Sequence, residues 1–178
     1  AMTVSHLADF DSPDQDSSLI HGAPMSHGSG LYIPPYVLRG ARQVIPESAA
    51  FEPDEFLDLC EHHPGASAFL APTMVARLVQ TGRPKPRNLR TVVYGGCPMY
   101  VDSLKKAMAA FGPIFVQLYG HGEAPMTITG LRKADHVADD GWADDAILGS
   151  VGYARSGVDV AVLAGAGEIG EIVCRGDV

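Results

Sequence analysis

The chain has 178 residues, of which 46% are hydrophobic and 19% charged, a balance that suits one globular domain with a buried core and excludes a disordered or collagen-like chain. Thirteen Lys and Arg face 21 Asp and Glu for a formal charge of −8, and no run of Lys and Arg reaches three, which argues against nucleic acid or an anionic membrane surface as a partner. No apolar run reaches the roughly 18 residues of a membrane-spanning helix, no signal peptide is visible, and three scattered cysteines without a CxxC pair fit reduced thiols, so the expected setting is the cytoplasm.

Met2 to Ala8 reads as the tail of a helix, followed by a polar stretch with Asp9, Asp11, Asp14 and Asp16 around Pro13. Ser18–Ile20 is a short strand candidate, and Leu31 to Leu38 is predicted helical with Pro34-Pro35 near its start. Gln43–Ile45 is a strand candidate. Pro53 suits a first helical position, with Phe56, Leu57, Leu59 and Cys60 forming an apolar stripe and Pro64-Gly65 ending the helix. Ala66–Leu70 is predicted as a strand, Pro72 opens another helix, and Thr91–Tyr94 is the next strand. A helix from Val101 to Ala110, stopped by Gly112, leads into a strand at Ile114–Leu118.

This alternation predicts an α/β fold, a mostly parallel sheet flanked by helices, over residues 1–147. The end of that unit, residues 130–147, reads as an acidic, polar linker around Trp142. Ser150–Tyr153, Asp159–Leu163 and Glu171–Cys174 then follow as short strands joined by Gly-rich turns. They predict a second unit over residues 148–178, the first strands of a small β-barrel.

Three loops follow strands and so fall where an open parallel sheet binds ligands, at the carboxyl ends of its strands. In Tyr94-Gly95-Gly96-Cys97-Pro98-Met99, two glycines let a flat ring or a phosphate approach the backbone; the alternative is a plain tight turn. In Gln117-Leu118-Tyr119-Gly120-His121-Gly122-Glu123, Tyr119 could stack on a base and Glu123 could hold Mg²⁺ as an oxygen ligand; the alternative is an ordinary surface loop. In Pro24-Met25-Ser26-His27-Gly28-Ser29-Gly30, His27 could line a pocket or be a structural histidine.

Taken together, these loops resemble the N-terminal domain of the adenylate-forming superfamily, which includes acyl-CoA synthetases, peptide-synthetase adenylation domains and firefly luciferase. The three segments are similar to that family's P-L-(F/S)-H-x-x-G, G-G-A-P-L and Y-G-x-T-E motifs. Gly149-Ser150-Val151-Gly152-Tyr153-Ala154-Arg155-Ser156-Gly157-Val158 resembles G-(S/T)-V-G-(R/K)-P-x-P-G-V, and Gly167-Glu168-Ile169-Gly170-Glu171-Ile172 resembles G-E-(V/I)-G-E-I. The resemblance runs from about residue 18 to the last residue, and Gly122 to Thr127 looks closest to the fatty-acid–CoA ligase branch.

The resemblance implies an acid:CoA ligase that uses ATP, Mg²⁺ and CoA with a carboxylic acid, a fatty acid by the closest branch. It implies that Gly95, Gly96 and Cys97 border the adenine, that Tyr119 stacks on it with Gly120 and Gly122 nearby, and that Glu123 holds Mg²⁺. By the same resemblance His27 sits beside the acyl group, with Gly96, Gly120 and Met126 near that pocket; Ile33 and Tyr36 are further wall candidates. Glu123 and His27 are thus the implied catalytic pair. Two departures stand out: Gly122 occupies a position where the family usually has Thr, and Cys97 replaces the common Ala. The family's phosphate loop and C-terminal catalytic Lys find no match here. The chain therefore resembles an internal portion of a longer synthetase, expected to be inactive in isolation and open to self-association through apolar surface left uncovered.

Two other readings compete. Val158 to Gly170 spells a strand followed by G-x-G-x-x-G, as in a nicotinamide-dependent oxidoreductase. That fingerprint needs a helix after its last Gly, and Glu171-Ile172-Val173-Cys174 instead reads as a strand, so a hairpin turn is expected. The other reading is a non-catalytic module that binds a nucleotide or acyl group.

Overall fold

The computed structural model describes residues 1–165 and 167–176. Its elements follow one another as α1 (Met2–Asp9), β1 (Ser18–Ile20), a 3₁₀ turn (Gly28–Tyr32) that continues into α2 (Ile33–Leu38), and β2 (Arg42–Val44). Then come α3 (Pro53–His62), β3 (Ala66–Leu70), α4 (Pro72–Gln80), β4 (Leu89–Tyr94), α5 (Val101–Phe111) and β5 (Phe115–Tyr119). The remainder comprises β6 (Thr129–Leu131), β7 (Val137–Ala138), β8 (Gly141–Trp142), α6 (Asp145–Leu148), β9 (Tyr153–Ala154), β10 (Val158–Leu163) and β11 (Glu171–Gly176). Pro53 and Pro72 each sit in the first helical turn, where the missing N–H would have had no partner.

Seven strands form one sheet in the order β2-β1-β3-β4-β5-β6-β9. The first five are parallel, whereas β6 runs antiparallel to β5, and β9 antiparallel to β6. Successive side chains on a strand point to opposite faces, and the core divides accordingly. Ile20, Leu70, Val92, Tyr94 and Phe115 pack on one face with residues of α3, α4 and α5. Leu19, Phe69, Val93 and Val116 pack on the other with Tyr32 and Tyr36. Helices on both faces make this the α/β arrangement expected from the strand–helix alternation.

Several details differ from the sequence reading, among them the strand expected at Ile114–Leu118, which forms one residue later at Phe115–Tyr119. The strand expected at Gln43–Ile45 is shifted back by one residue; Ile45 is 61% exposed and lies outside the ladder. The segment 130–147 carries regular structure, namely most of β6, the β7–β8 ribbon and all of α6 but its last residue; Leu131 and Ala143 are buried within it, and Leu148 just after it. The strand expected at Ser150–Tyr153 forms at Tyr153–Ala154 and joins the large sheet through β6, whereas β10 and β11, among the described residues, form a separate two-stranded antiparallel pair.

At the amino ends of β3 and β4 a polar network fastens the segment after α1. The Asp11 carboxylate accepts from Thr91 (2.7 Å), from Tyr36 (3.3 Å) and from Ser67 (3.4 Å), and pairs with Arg90 at 2.7 Å. Lys133 donates to the Thr91 hydroxyl at 2.7 Å. Burial works against the Asp11 charge, but Lys133, Thr91 and Arg90 outweigh it and hold its pKa below the usual carboxylate value.

Candidate functional site

The loops that follow β4 and β5 open onto a cleft of about 560 Å³. Its walls are Tyr94 to Met99, Gln117 to His121, and Leu148 to Val151. This volume falls within the range of small-molecule sites. The lining holds no Lys, Arg, Asp or Glu and combines backbone and apolar side chains with the polar groups of Gln117, Tyr119, His121 and Ser150.

A buried, hydrogen-bonded pair lies at the floor of the cleft. Tyr94 is buried at the end of β4, and its hydroxyl lies 3.0 Å from Nε2 of His136, which is fully buried. Nδ1 of His136 is 2.8 Å from the Arg132 carbonyl, so that nitrogen carries the proton and Nε2 accepts from Tyr94. Burial lowers the His136 pKa and raises that of Tyr94, which keeps both neutral.

Close approach explains two of the glycines. A Cβ at Gly95 would meet the Leu118 carbonyl oxygen and Cδ1, both at 2.7 Å. A Cβ at Gly120 would lie 2.6 Å from the Ala124 oxygen and overlap the Met126 backbone nitrogen. The loop from 119 to 128 therefore folds tightly on itself. The Ile128 N–H donates to the Tyr119 carbonyl at 3.2 Å, and the His121 N–H donates to the Ala124 carbonyl at 3.2 Å. At the rim, the Tyr119 hydroxyl meets Nε2 of His121 at 2.6 Å, with the two rings edge to face.

Among the residues singled out from the sequence, Gly95, Gly96, Cys97, Tyr119 and Gly120 all line this cleft. Gly122 and Glu123 lie on the same loop, exposed, outside the walls, and Gly122 faces open space. His27 is exposed on the loop after β1, with Nδ1 3.3 Å from the Ser26 hydroxyl. Met126 is 8% exposed and packs in the core beside Phe69; its methyl would stand 2.8 Å from a Cβ at Gly28. Ile33 and Tyr36 do not border the cleft; Tyr36 is buried against Asp11. The sequence reading did not assign Leu148 to Val151 to a wall. The Gly149-Ser150-Val151-Gly152 motif was the available signal.

The chemistry of the donors can be tested against a divalent cation. No group of three or more His, Cys, Asp or Glu is assembled among the described residues, so a closed protein cage for a metal is not built there. Glu123 offers one exposed hard oxygen donor beside the cleft. That fits Mg²⁺, which is commonly held by one or two carboxylates plus substrate phosphates. No Lys or Arg stands among the cleft walls, so the site as described suits a flat heterocycle better than a naked triphosphate. The G-x-G-x-x-G text lies between the antiparallel β10 and β11, and the element that follows it is the strand β11, with no helix after the motif among the described residues; its Ala166 lies outside them. No helix of the described residues is long and apolar enough to cross a membrane.

Comparison with known proteins gives a consistent result. The family profile described as AMP-binding enzyme matches residues 1–178. The chain is 33% identical over 184 aligned positions to the medium/long-chain-fatty-acid–CoA ligase FadD8 of Mycobacterium tuberculosis, covering 98% of this chain and 30% of that protein. Among solved structures it is similar to the amide bond synthetase McbA of Marinactinospora thermotolerans, with a TM-score of 0.81 and 26% identity over 98% of this chain and 35% of that one. ATP-bound MatB of Rhodopseudomonas palustris gives a TM-score of 0.75 and 26% identity, covering 98% of this chain and 34% of that one. The chain thus spans about a third of the length of each of these relatives.

Proposed function

The chain belongs to the AMP-binding enzyme family, and from that premise we propose that it forms the adenine-binding part of an ATP-dependent acid:CoA ligase acting on a fatty acid in the cytoplasm. One observation carries this reading: Gly95, Gly96, Cys97, Tyr119 and Gly120, drawn from two separate motifs, line one uncharged cleft at the carboxyl ends of adjacent parallel strands. The fatty-acid reading rests on the likeness to FadD8. The amide bond synthetase among the similar structures marks a neighbouring acceptor chemistry that the family fold also serves.

In this reading the adenine lies in the cleft against Tyr119, between the Gly95–Cys97 turn and the Gly149–Val151 wall. The acid's carboxylate attacks the α-phosphorus of ATP, the bond to the β-phosphate oxygen breaks, and pyrophosphate leaves. The CoA thiol, losing its proton, then attacks the acyl carbonyl, and AMP leaves. The residues of this chain bind and orient; in phosphoryl and nucleotidyl chemistry such positioning and charge stabilisation supply most of the catalysis. Glu123 is the residue that would hold Mg²⁺, which when bound neutralises phosphate charge. His27 is the group proposed beside the acid.

Thermal unfolding of the chain with a non-hydrolysable acyl-adenylate analogue tests the binding half of this reading, with NAD as the control. At about 100 times its dissociation constant the analogue should add roughly 2.7 kcal/mol of stability. Stabilisation by the analogue and not by NAD is expected; stabilisation by NAD alone would overturn the reading. The 178-residue chain by itself is expected to give no appreciable ATP–pyrophosphate exchange, and clear exchange would contradict that.

A further inference from the structure

Met126 is a bulky residue held at φ +61°, in the left-handed region that side chains with a Cβ rarely adopt. Such a conformation costs on the order of 1–3 kcal/mol and persists only where its surroundings impose it. The Met126 carbonyl receives a hydrogen bond from Nη1 of Arg155 at 2.6 Å. The Arg155 side chain is 1% exposed. Its Nε lies 3.3 Å from the Asp9 carboxylate at the end of α1, and its guanidinium carbon stands 3.8 Å from the centre of the Phe10 ring. The Arg155 backbone N–H donates to the Ile128 carbonyl at 3.1 Å. Arg155 thus grips both Met126 and Ile128, the two residues on which the 119–128 loop closes.

That grip reaches the cleft through the backbone. The Met126 nitrogen fills the space beside Gly120, and Ile128 donates to the carbonyl of Tyr119. Glu123 sits at the exposed turn of the same loop. A buried guanidinium is expensive to desolvate, so its presence needs carboxylate and carbonyl partners; here Asp9 and Met126 are those partners.

We propose that Arg155 is a positioning residue: from behind the cleft it clamps Met126 in its left-handed conformation, and so fixes the loop that carries Tyr119 and Glu123. Its effect on nucleotide binding rests on the function proposed above; its effect on the loop does not.

Hydrogen exchange on the folded chain separates the two. Arg155→Met keeps an apolar stem over Phe10 and removes the donors. Amides of residues 120–127 should then exchange at least about tenfold faster, as expected for loss of a charge-assisted hydrogen bond, while β3 to β5 keep their protection. Arg155→Lys, which retains a charged donor, should recover part of that protection. A packing role alone would not couple to backbone strain, so the decisive arm is a cycle with Met126→Gly. In that background, where the left-handed conformation is unstrained, Arg155→Met should change loop exchange by less than about threefold. Unchanged exchange in 120–127 on Arg155→Met, or an equal change with and without Met126→Gly, would overturn the clamp. If Arg155→Met fails to fold, Asp9→Asn, which releases the guanidinium from its carboxylate, should give the same loop-confined increase, and its absence would likewise overturn the proposal. AMP titration of the same variants completes the test. A clamp seen by exchange in a chain that ignores AMP would leave the loop device standing and count against the function.

Discussion

The hydroxyl of Tyr119 and Nε2 of His121 stand 2.6 Å apart across the rim of the cleft, two residues apart on a loop whose backbone turns between them. This bond fixes the tilt of the aromatic ring proposed to stack on adenine. Removing it from either side should therefore have one shared effect. Tyr119→Phe and His121→Phe are each expected to weaken AMP binding about fivefold, the worth of one ordinary hydrogen bond, and the double variant is expected to do no worse than either. Isothermal titration of the three variants checks this, and additive losses would contradict it.

The two neighbouring glycines of the same loop should respond in opposite ways. Gly120→Ala drives a methyl into the Ala124 carbonyl and the Met126 backbone, neither of which is a flexible side-chain end. It should displace the loop and reduce AMP affinity by tenfold or more, about 1.4 kcal/mol. Gly122→Thr, which installs the hydroxyl common in the family, meets no heavy atom within 4 Å of its Cβ and should change stability by less than about 0.5 kcal/mol. Chemical unfolding and AMP titration of both variants give the comparison.

Asp11 gathers Thr91, Tyr36, Ser67 and Arg90 on a side chain that is 7% exposed. Asp11→Ala leaves these donors without their acceptor. It should destabilise the fold by roughly 2–3 kcal/mol, less than loss of a fully buried pair because Arg90 retains partial access to water. The midpoint of urea unfolding measures it, and a change below about 0.5 kcal/mol would contradict the tethering role.

His6 gives the fold a pH dependence of known sign. It is fully buried among Phe10, Tyr32 and Tyr36, and burial pulls its pKa down to about 4; Asp11 opposes the shift, and Arg155 and Lys133 add to it. The unfolded chain binds a proton near the ordinary histidine value of 6.5, so between these values the unfolded state carries more protons. Stability is complete above pH 6.5 and falls as the pH drops toward 4, by on the order of 3 kcal/mol from this residue. His21 and His136, also lowered by burial, act in the same direction. His6→Phe should therefore shrink, without abolishing, the difference in unfolding free energy between pH 7.5 and pH 4.5.

Much of this architecture is legible in the residues because local signals agree with the fold. Pro53 and Pro72 start helices where the chain offers N–H groups without partners, and Ala66–Leu70 is uncharged and buried throughout because both faces of that strand are covered. The turns after β4 and β5 also announce themselves, since Gly95 and Gly120 sit where another backbone or side chain excludes a Cβ. What is less legible depends on packing at a distance. The stretch 130–147 is acidic and polar in the sequence, and only packing shows that Leu131 and Ala143 within it are buried; β9 joins the large sheet through a partner more than 20 residues earlier. Arg155 enters the sequence reading only as one position of the Gly149–Val158 motif; the tertiary structure places it under Met126. Gly149 to Val151 are visible as part of a motif, but that they and Leu148 border the same cleft as Tyr119 is a product of the tertiary structure.

The most direct test of the adenine site follows backbone amide shifts of the isotopically labelled chain during titration with AMP. Shifts should concentrate in Gly95–Met99, Tyr119–His121 and Gly149–Val151, and Gly120→Ala should remove them. Shifts confined to the β10–β11 connection, or no shifts at millimolar AMP, would contradict the assignment of this cleft to the nucleotide.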